Sequence, residues 1–227
     1  METKFHIKEG DAYLYTIDNF VTPEYANYLF LEGDKLPLIH NPPNRMGISH
    51  RDVGFYSKTV PYYKFAGQKA RATQTPEFLN MFLDLVNKTF DSSLSQLGFK
   101  LNAILVNRYT SGEDNIDKHS DSEKQLKQQL ILALSLFKEH DGARIFRIRR
   151  KNGEKIDGKN FLDIATKHGQ LLVMGGNFQE LFTHEVPVEK RNKKAYRISY
   201  TIRSHSENEK DYDYFFNLIL KWKLISI

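Results

Sequence analysis

The chain has 227 residues, a net charge of +5 and no cysteine, which excludes disulfides and thiolate metal sites and fits a reducing compartment. An apolar content of 40% with 13% aromatic residues excludes a disordered chain. The positive charge favours polyanionic partners, although a plainly solvated lysine-rich surface fits it equally well.

No apolar run reaches transmembrane length, and residues 1–10 show no signal-peptide pattern. We therefore expect a soluble intracellular protein, in the cytoplasm or the nucleus, with no membrane partner. We also expect a monomer that folds as a single domain over residues 1–227.

The first ninety residues predict a short strand and two helices. Residues 12–17 are strand-like, and Thr22 predicts a helix N-cap with Pro23 at the first helical position. Thr75-Pro76-Glu77 repeats this signal before an apolar stripe of helical period over residues 78–90. We expect the second helix to pack on the outside of a sheet.

From Leu101 onward the pattern predicts mostly strands, with no long helix between them. The predicted strands span residues 101–109, 129–137, 143–149, 170–175, 181–188 and 195–203. This pattern favours a β sandwich or a jelly-roll barrel over a parallel sheet. Residues 211–224 predict a terminal amphipathic helix.

A His-x-Asp triplet, His119 and Asp121, follows a turn at residues 111–114. In an extended segment, residues two apart point the same way, so the imidazole and the carboxylate can bind one metal ion. Alone, the triplet also fits two solvated loop residues. His184, in a later strand, would complete the donor set of a non-haem Fe(II) site, and we call these three residues the triad. The other histidines, His205 among them, are predicted at the surface.

The last predicted strand places Arg197, Ser199 and Arg203 on one face. Two arginines that face a barrel interior are costly unless they meet anions, and guanidinium groups suit a dicarboxylate. Six strand residues span roughly 20 Å, so both arginines reach one small diacid only if their side chains converge. Arg203 also fits a surface charge at the end of the strand.

Taken in order, these motifs resemble the AlkB family of Fe(II)- and 2-oxoglutarate-dependent dioxygenases. The matching pieces, between about residues 50 and 205, are Asn107-Arg108-Tyr109 with Gly112, His119-x-Asp121, residues 142–149, residues 169–174, His184 before Val186-Pro187, and Arg197 with Arg203. The resemblance implies a mainly β fold with flanking helices and a double-stranded β-helix (jelly-roll) core at residues 101–205. It also implies N-terminal helices and a nucleotide-recognition hairpin in residues 1–100, and a helical tail at residues 206–227.

The resemblance further implies that the triad binds Fe(II), with O2 and 2-oxoglutarate as cosubstrates. The residues implied to hold 2-oxoglutarate are Arg197 with Tyr109 and Ser199 at the far carboxylate, and Asn107 with Arg203 at the end nearer the metal. Ser199 stands where many members have asparagine, and its hydroxyl can still donate to a carboxylate.

The substrate residues implied by the resemblance surround a base that is flipped out or single-stranded. Tyr63 and Phe65 of the hairpin are candidates for its aromatic walls, and Tyr56 is a further one, although ordinary hairpin packing fits these rings equally well. Glu123, where relatives carry an acid that contacts the base, would attract a cationic ring such as 1-methyladenine or 3-methylcytosine. Arg147 could hold a phosphate.

The implied function is oxidative demethylation of N-alkylated nucleobases in methylated DNA or RNA, as part of nucleic-acid repair. One alternative is an RNA demethylase with a regulatory or viral-genome-protecting role. A second is a protein-side-chain hydroxylase of the same superfamily, against which the hairpin and the basic runs argue. A third is a jelly-roll binding module without metal chemistry, which would not need the triad or the two arginines.

Overall fold

The computed structural model describes residues 2–44, 47–65, 68–121 and 130–208. The helices within these ranges are α1 (Pro23–Asp34), α2 (Glu77–Thr89), α3 (Asp91–Leu97) and α4 (Phe178–Leu181). The first seven strands are β1 (Glu2–Glu9), β2 (Ala12–Asp18), β3 (Pro43–Asn44), β4 (Gly47–Ile48), β5 (Asp52–Ser57), β6 (Tyr62–Phe65) and β7 (Gln68–Arg71). The remaining strands are β8 (Ala103–Tyr109), β9 (Ile116–His119), β10 (Ile131–Phe137), β11 (Arg144–Arg150), β12 (Leu162–Thr166), β13 (Gln170–Gly175), β14 (Phe182–Val186) and β15 (Arg197–Arg203). None of the described helices is both long enough and apolar enough to cross a membrane.

Two antiparallel sheets form the body of the described chain. The larger sheet has the strand order β1-β2-β13-β10-β15-β8-β5, and the smaller sheet has the order β12-β11-β14-β9. From β8 to β15 the chain passes back and forth between the two sheets, as it does in a double-stranded β-helix. The predicted mainly β fold with a jelly-roll core is therefore confirmed.

The space between the sheets is filled by alternate side chains of their facing strands. Ile131 and Leu172 of the larger sheet pack with Ile148, Phe182 and Val186 of the smaller one. Because side chains alternate along a strand, the intervening residues of the smaller sheet point outward. The same alternation also turns some polar side chains of the two sheets inward, and the candidate active site described below lies among them.

The outer face of the larger sheet is covered by helices, as the apolar stripe predicted. Phe82 and Val86 of α2 pack with Ile104 and Val106 of β8 in one buried cluster. The Thr22 hydroxyl caps α1 by accepting from the Tyr25 amide at 3.3 Å, which confirms that helix start.

The start of α2 was predicted one residue too early. Pro76 is the N-cap, and no side chain caps the helix there. The Thr75 carbonyl accepts from the Asn80 side chain at 3.0 Å, and it accepts no intrahelical bond from a described amide. The first such bond runs from the Asn80 amide to the Pro76 carbonyl at 3.1 Å, and the helix begins at Glu77.

All six strands predicted from Leu101 onward are present, with ends that shift by at most two residues. The strands β1, β5, β9 and β12 were not predicted from the sequence. The terminal helix predicted at residues 211–224 lies outside the described residues. The single-domain organisation stays a prediction.

Arg144 ties the loops around the smaller sheet together from a fully buried position. Its Nε donates to Glu189 Oε2 at 2.9 Å. Its terminal nitrogens donate to the carbonyl oxygens of Ser111, Asp114 and Pro187 at 2.9, 2.7 and 3.0 Å. These carbonyls flank β9 and β14, the strands that carry the two histidines of the triad.

We expect Arg144→Met to lower the free energy of unfolding by about 3–5 kcal/mol, because it leaves a carboxylate and three carbonyls without their donor. Urea denaturation followed by circular dichroism measures this loss. Arg149→Met is the control, since Arg149 is partly exposed and its only acidic partner among the described residues is Glu185, at 2.7 Å. Its cost should stay below about 1 kcal/mol. Equal losses in the two variants would contradict the anchoring role of Arg144.

Candidate active site

The three residues of the triad meet at one end of the smaller sheet. β9 and β14 are antiparallel neighbours, and their register places His119 beside His184. His119 Nε2 lies 3.7 Å from Asp121 Oδ1, and His184 Nε2 lies 3.5 Å from Asp121 Oδ2. One ligand atom from each side chain lies within 4.8 Å of the other two. The structure thus brings together all three residues that were predicted to form the triad.

A backbone carbonyl sets the tautomer of His119. Its Nδ1 lies 2.8 Å from the Asp117 carbonyl oxygen. Because a carbonyl can only accept, Nδ1 carries the ring proton, and the Nε2 lone pair is left on the side of Asp121. Metal-binding histidines are commonly oriented in this way.

The protonation states of His119 and Asp121 suit a divalent cation. Burial and the neighbouring His184 lower the pKa of His119 to about 3, so its imidazole is neutral. Burial alone would raise the pKa of Asp121, but the Arg203 guanidinium and the two histidines hold it below its usual value. Neutral imidazole and ionised carboxylate are the forms that bind metals. Two imidazoles and one carboxylate are a donor set that fits Fe(II).

Gln179 holds the backbone of Asp121 in place from α4, five residues before His184. The side chain is fully buried, and its Oε1 accepts from the Asp121 amide at 2.9 Å. Its Nε2 donates to Met174 Sδ at 3.7 Å. Gln179 therefore links the two segments that carry Asp121 and His184.

We expect Gln179→Leu to weaken metal binding about 10- to 100-fold, because the Asp121 amide loses its buried acceptor and the carboxylate loses its fixed position. Anaerobic titration with Fe(II) measures the affinity. Gln170→Leu is the matched control, since Gln170 is also buried but donates to Asp18, at 2.6 Å. Equal weakening in both variants would contradict the prediction.

A cleft that is partly open to solvent lies beside the triad on the inner faces of the two sheets. The predicted residues that line it are Tyr63, Asn107, Tyr109, Arg197, Ser199, Arg203 and the triad. All five residues implied to hold the cosubstrate thus face one space together with the triad.

Arg197 is a buried cation with no acidic partner among the described residues. Its side chain is 3% exposed, and its guanidinium donates to the Ser135 and Ser199 hydroxyls at 3.0 and 3.1 Å. The guanidinium carbon lies 5.5 Å from the Tyr109 ring centroid. Burial lowers the pKa of Arg197 to about 10, so it remains charged. A buried charge of this kind calls for an anionic ligand, and a carboxylate fits the fork of donors.

Arg203 is buried as well, at 4% exposure, so the alternative of a surface charge at the strand end is wrong. Its terminal nitrogen lies 2.8 Å from Asp121 Oδ1. Arg197 and Arg203 line the same cleft, which the binding of one small diacid between them would require.

The predicted aromatic wall is present in part. Tyr63 is buried, lines the cleft and stacks on Phe55 with ring centroids 4.8 Å apart. Tyr56 is not at the site, because alternation along β5 turns it to the opposite face, into the core under the helices. The side chain of Phe65 and the whole of Glu123 lie outside the described part of the chain.

Arg147 lies on the outer face of the smaller sheet and does not line the cleft. Its guanidinium donates to both carboxylate oxygens of Asp163, at 2.6 and 2.7 Å. The charge of Arg147 is therefore already balanced, and its phosphate contact stays a prediction.

Sequence reasoning missed several residues around the site. His205 is 2% exposed rather than at the surface, and its ring lies 5.3 Å from that of Phe55. The signal was available, since His205 continues the alternation of Arg203 on the last strand. Ser135 was also visible, as a lone polar residue in an apolar strand. Arg51, which lines the cleft from the loop before β5, gave no local signal.

Comparisons with known proteins agree with this geometry. The family model of the 2OG-Fe(II) oxygenase superfamily matches residues 14–203. Alpha-ketoglutarate-dependent dioxygenase alkB homolog 3 of Bos taurus is 32% identical over 111 residues, which cover 47% of this chain and 37% of that protein. DNA oxidative demethylase ALKBH2 of Bos taurus is 27% identical over 156 residues, which cover 67% of this chain and 52% of that protein. The chain thus spans between about a third and a half of these relatives.

The solved structure of OsALKBH1 superposes with a TM-score of 0.62. The alignment covers 89% of this chain and 100% of that one, at 14% identity. At this identity the match shows a shared fold.

Proposed function

The chain belongs to the 2OG-Fe(II) oxygenase superfamily, and we propose that it demethylates N-alkylated nucleobases of the 1-methyladenine and 3-methylcytosine type in DNA or RNA, as an Fe(II)- and 2-oxoglutarate-dependent dioxygenase of nucleic-acid repair. The resemblance to the AlkB family that the motifs indicated is confirmed by the relatives named above.

One observation carries the proposal. Arg197, a buried arginine with no acidic partner in the part of the chain that the structure describes, faces the same cleft as two histidines and a carboxylate whose ligand atoms converge. A binding module has no use for a buried arginine beside a metal-type donor set, because both features lower stability unless ligands satisfy them.

In this proposal, different residues bind the metal and the cosubstrate. His119 and His184 would bind Fe(II) through Nε2, and Asp121 would bind it through its carboxylate. Arg197 would hold the far carboxylate of 2-oxoglutarate, with its fork oriented by Ser135 and Ser199. When bound, Fe(II) with 2-oxoglutarate and O2 supplies the oxidant that attacks a C–H bond.

The cleft also offers a wall for a base. Tyr63 presents a buried ring that is braced by Phe55, and a flipped or single-stranded base can stack on such a surface. The relatives support a nucleic-acid substrate, since one of them is a DNA oxidative demethylase. We expect Glu123 to add attraction for bases that carry a positive charge.

Formaldehyde release from methylated oligonucleotides tests the proposal, because an oxidised N-methyl group breaks down to formaldehyde. The panel pairs single- and double-stranded DNA with RNA, each with 1-methyladenine, 3-methylcytosine or a neutral methylated base. We expect release from the cationic bases, only when Fe(II) and 2-oxoglutarate are both present. Glu123→Ala should slow the cationic bases more than the neutral ones.

The outcome also separates the alternatives. Release from RNA alone would favour the RNA demethylase, in a regulatory or genome-protecting role. Turnover of 2-oxoglutarate that responds to peptides and not to any oligonucleotide would overturn the nucleobase proposal in favour of a protein hydroxylase. Absence of 2-oxoglutarate turnover with every substrate would overturn the enzymatic proposal itself.

A further inference from the structure

Arg51 is a second arginine of the cleft without an acidic partner in the described chain. Its side chain is only 5% exposed and lines the cleft between the sheets. Its Nε donates to Asn107 Oδ1 at 2.8 Å. The contact joins the loop before β5 to the middle of β8, 56 residues further along the chain.

This contact fixes the orientation of the Asn107 amide. A guanidinium can only donate, so the atom that faces Arg51 must be the carbonyl oxygen Oδ1. The NH2 group of Asn107 is then turned away from Arg51, and no acceptor for it lies among the described residues. Asn107 therefore presents a donor in the cleft rather than an acceptor.

The strand register places this donor between the two arginines of β15. Asn107 lies opposite Ser199, whereas Arg197 lies opposite Tyr109 and Arg203 lies opposite Ala103. A diacid held between Arg197 and Arg203 must therefore pass the Asn107 amide.

We propose that Arg51 is a positioning residue of the cosubstrate site, which acts through Asn107. By holding Oδ1, it turns the Asn107 NH2 group towards the carboxylate of the 2-oxo acid that lies nearer the triad. The inference rests on the proposed function for the identity of the acid. Without Arg51 the amide can rotate and present its oxygen, which repels a carboxylate.

Calorimetric titration of 2-oxoglutarate into protein loaded with Mn(II) in place of iron measures the effect without turnover. We expect Arg51→Met and Asn107→Ala each to raise the Kd for 2-oxoglutarate about tenfold, as loss of a hydrogen bond to a charged group does. The double variant should bind about as weakly as Asn107→Ala, because the proposed effect of Arg51 on the ligand passes through Asn107.

Arg51→Gln separates orientation from charge. The Nε2 atom of glutamine stands at the same number of bonds from Cα as Nε of arginine, so it can donate to Asn107 Oδ1 without the positive charge. We expect its Kd to stay within about threefold of the natural protein, since the hydrogen bond is kept. Arg150→Met is the control for loss of an arginine, since Arg150 pairs with Glu9 and does not line the cleft; it should leave the Kd unchanged.

Thermal melts by circular dichroism verify that each variant is folded. If Arg51→Met does not fold, the Kd of Arg51→Gln tests the inference. An unchanged Kd in Arg51→Met would overturn this inference but not the proposed function. A Kd in Arg51→Gln as high as in Asn107→Ala would do the same. Multiplied losses in the double variant, about 100-fold, would overturn it too, because they mean that Arg51 acts independently of Asn107. Failure of the natural protein to bind 2-oxoglutarate would overturn the proposed function, and this inference with it.

Discussion

Asp121→Ala is expected to lower formaldehyde release by more than about 100-fold, since loss of a partner that merely orients a metal ligand already costs 10- to 100-fold. Asp121 is the only carboxylate of the triad, and both of its oxygens are engaged. Oδ1 lies 2.8 Å from Arg203 and Oδ2 lies 3.5 Å from His184 Nε2. No other described acid can replace it among the groups that converge there.

Fe(II) titration and formaldehyde release measure the two consequences of this change, and circular dichroism checks the fold. Asp117→Ala is the matched control, because the Asp117 side chain is exposed and only its carbonyl contacts His119. This variant should keep its activity within about twofold, as is usual for an exposed position. Full activity of Asp121→Ala would exclude the carboxylate from the metal site.

Arg197→Met is expected to weaken 2-oxoglutarate binding by about 2–5 kcal/mol, roughly 30-fold to several thousandfold, because it removes one partner of a buried charge pair. The same change should leave the ligand-free protein at least as stable as before. Arg197 has no acidic partner in the described chain, and replacing an uncompensated buried charge by an apolar side chain removes its desolvation cost.

Two measurements on Arg197→Met test the expected loss of affinity and the expected retention of stability. Titration of 2-oxoglutarate gives the affinity, and urea denaturation without ligand gives the free energy of unfolding. Arg150→Met is the control. It should leave the affinity for 2-oxoglutarate unchanged and change the free energy of unfolding by less than about 1 kcal/mol, because it removes a partly exposed ion pair. A loss of stability in Arg197→Met together with unchanged affinity would assign Arg197 a purely structural role.

The parts of the site that could be predicted are those that a strand or a short motif encodes locally. The alternation of β15 gave the common face of Arg197, Ser199 and Arg203, and the same rule extends to His205. The His-x-Asp spacing gave two members of the triad. The long apolar strands of the core were also evident, because burial on both faces leaves a strong signal.

The parts that were missed depend on contacts between distant segments. Arg51 reaches Asn107 across 56 residues, and Gln179 reaches the Asp121 amide across 58 residues. Neither contact has a periodic pattern, because each arises from the pairing of β5 with β8 or from the placement of the short helix α4. The prediction for Tyr56 was wrong for a different reason. Its residue type fitted a base-binding wall, but alternation along β5 turns its side chain to the opposite face of the sheet.

The two halves of the site belong to different layers of the roll. His119 and His184 stand on neighbouring strands of the smaller sheet, whereas Arg197 and Arg203 stand on one strand of the larger sheet. The Arg203–Asp121 pair already bridges the mouth between them. A reactant that contacts both layers would therefore link the two sheets. Its binding is expected to stabilise the packing of one sheet on the other, since a ligand that binds only the native state raises the free energy of unfolding.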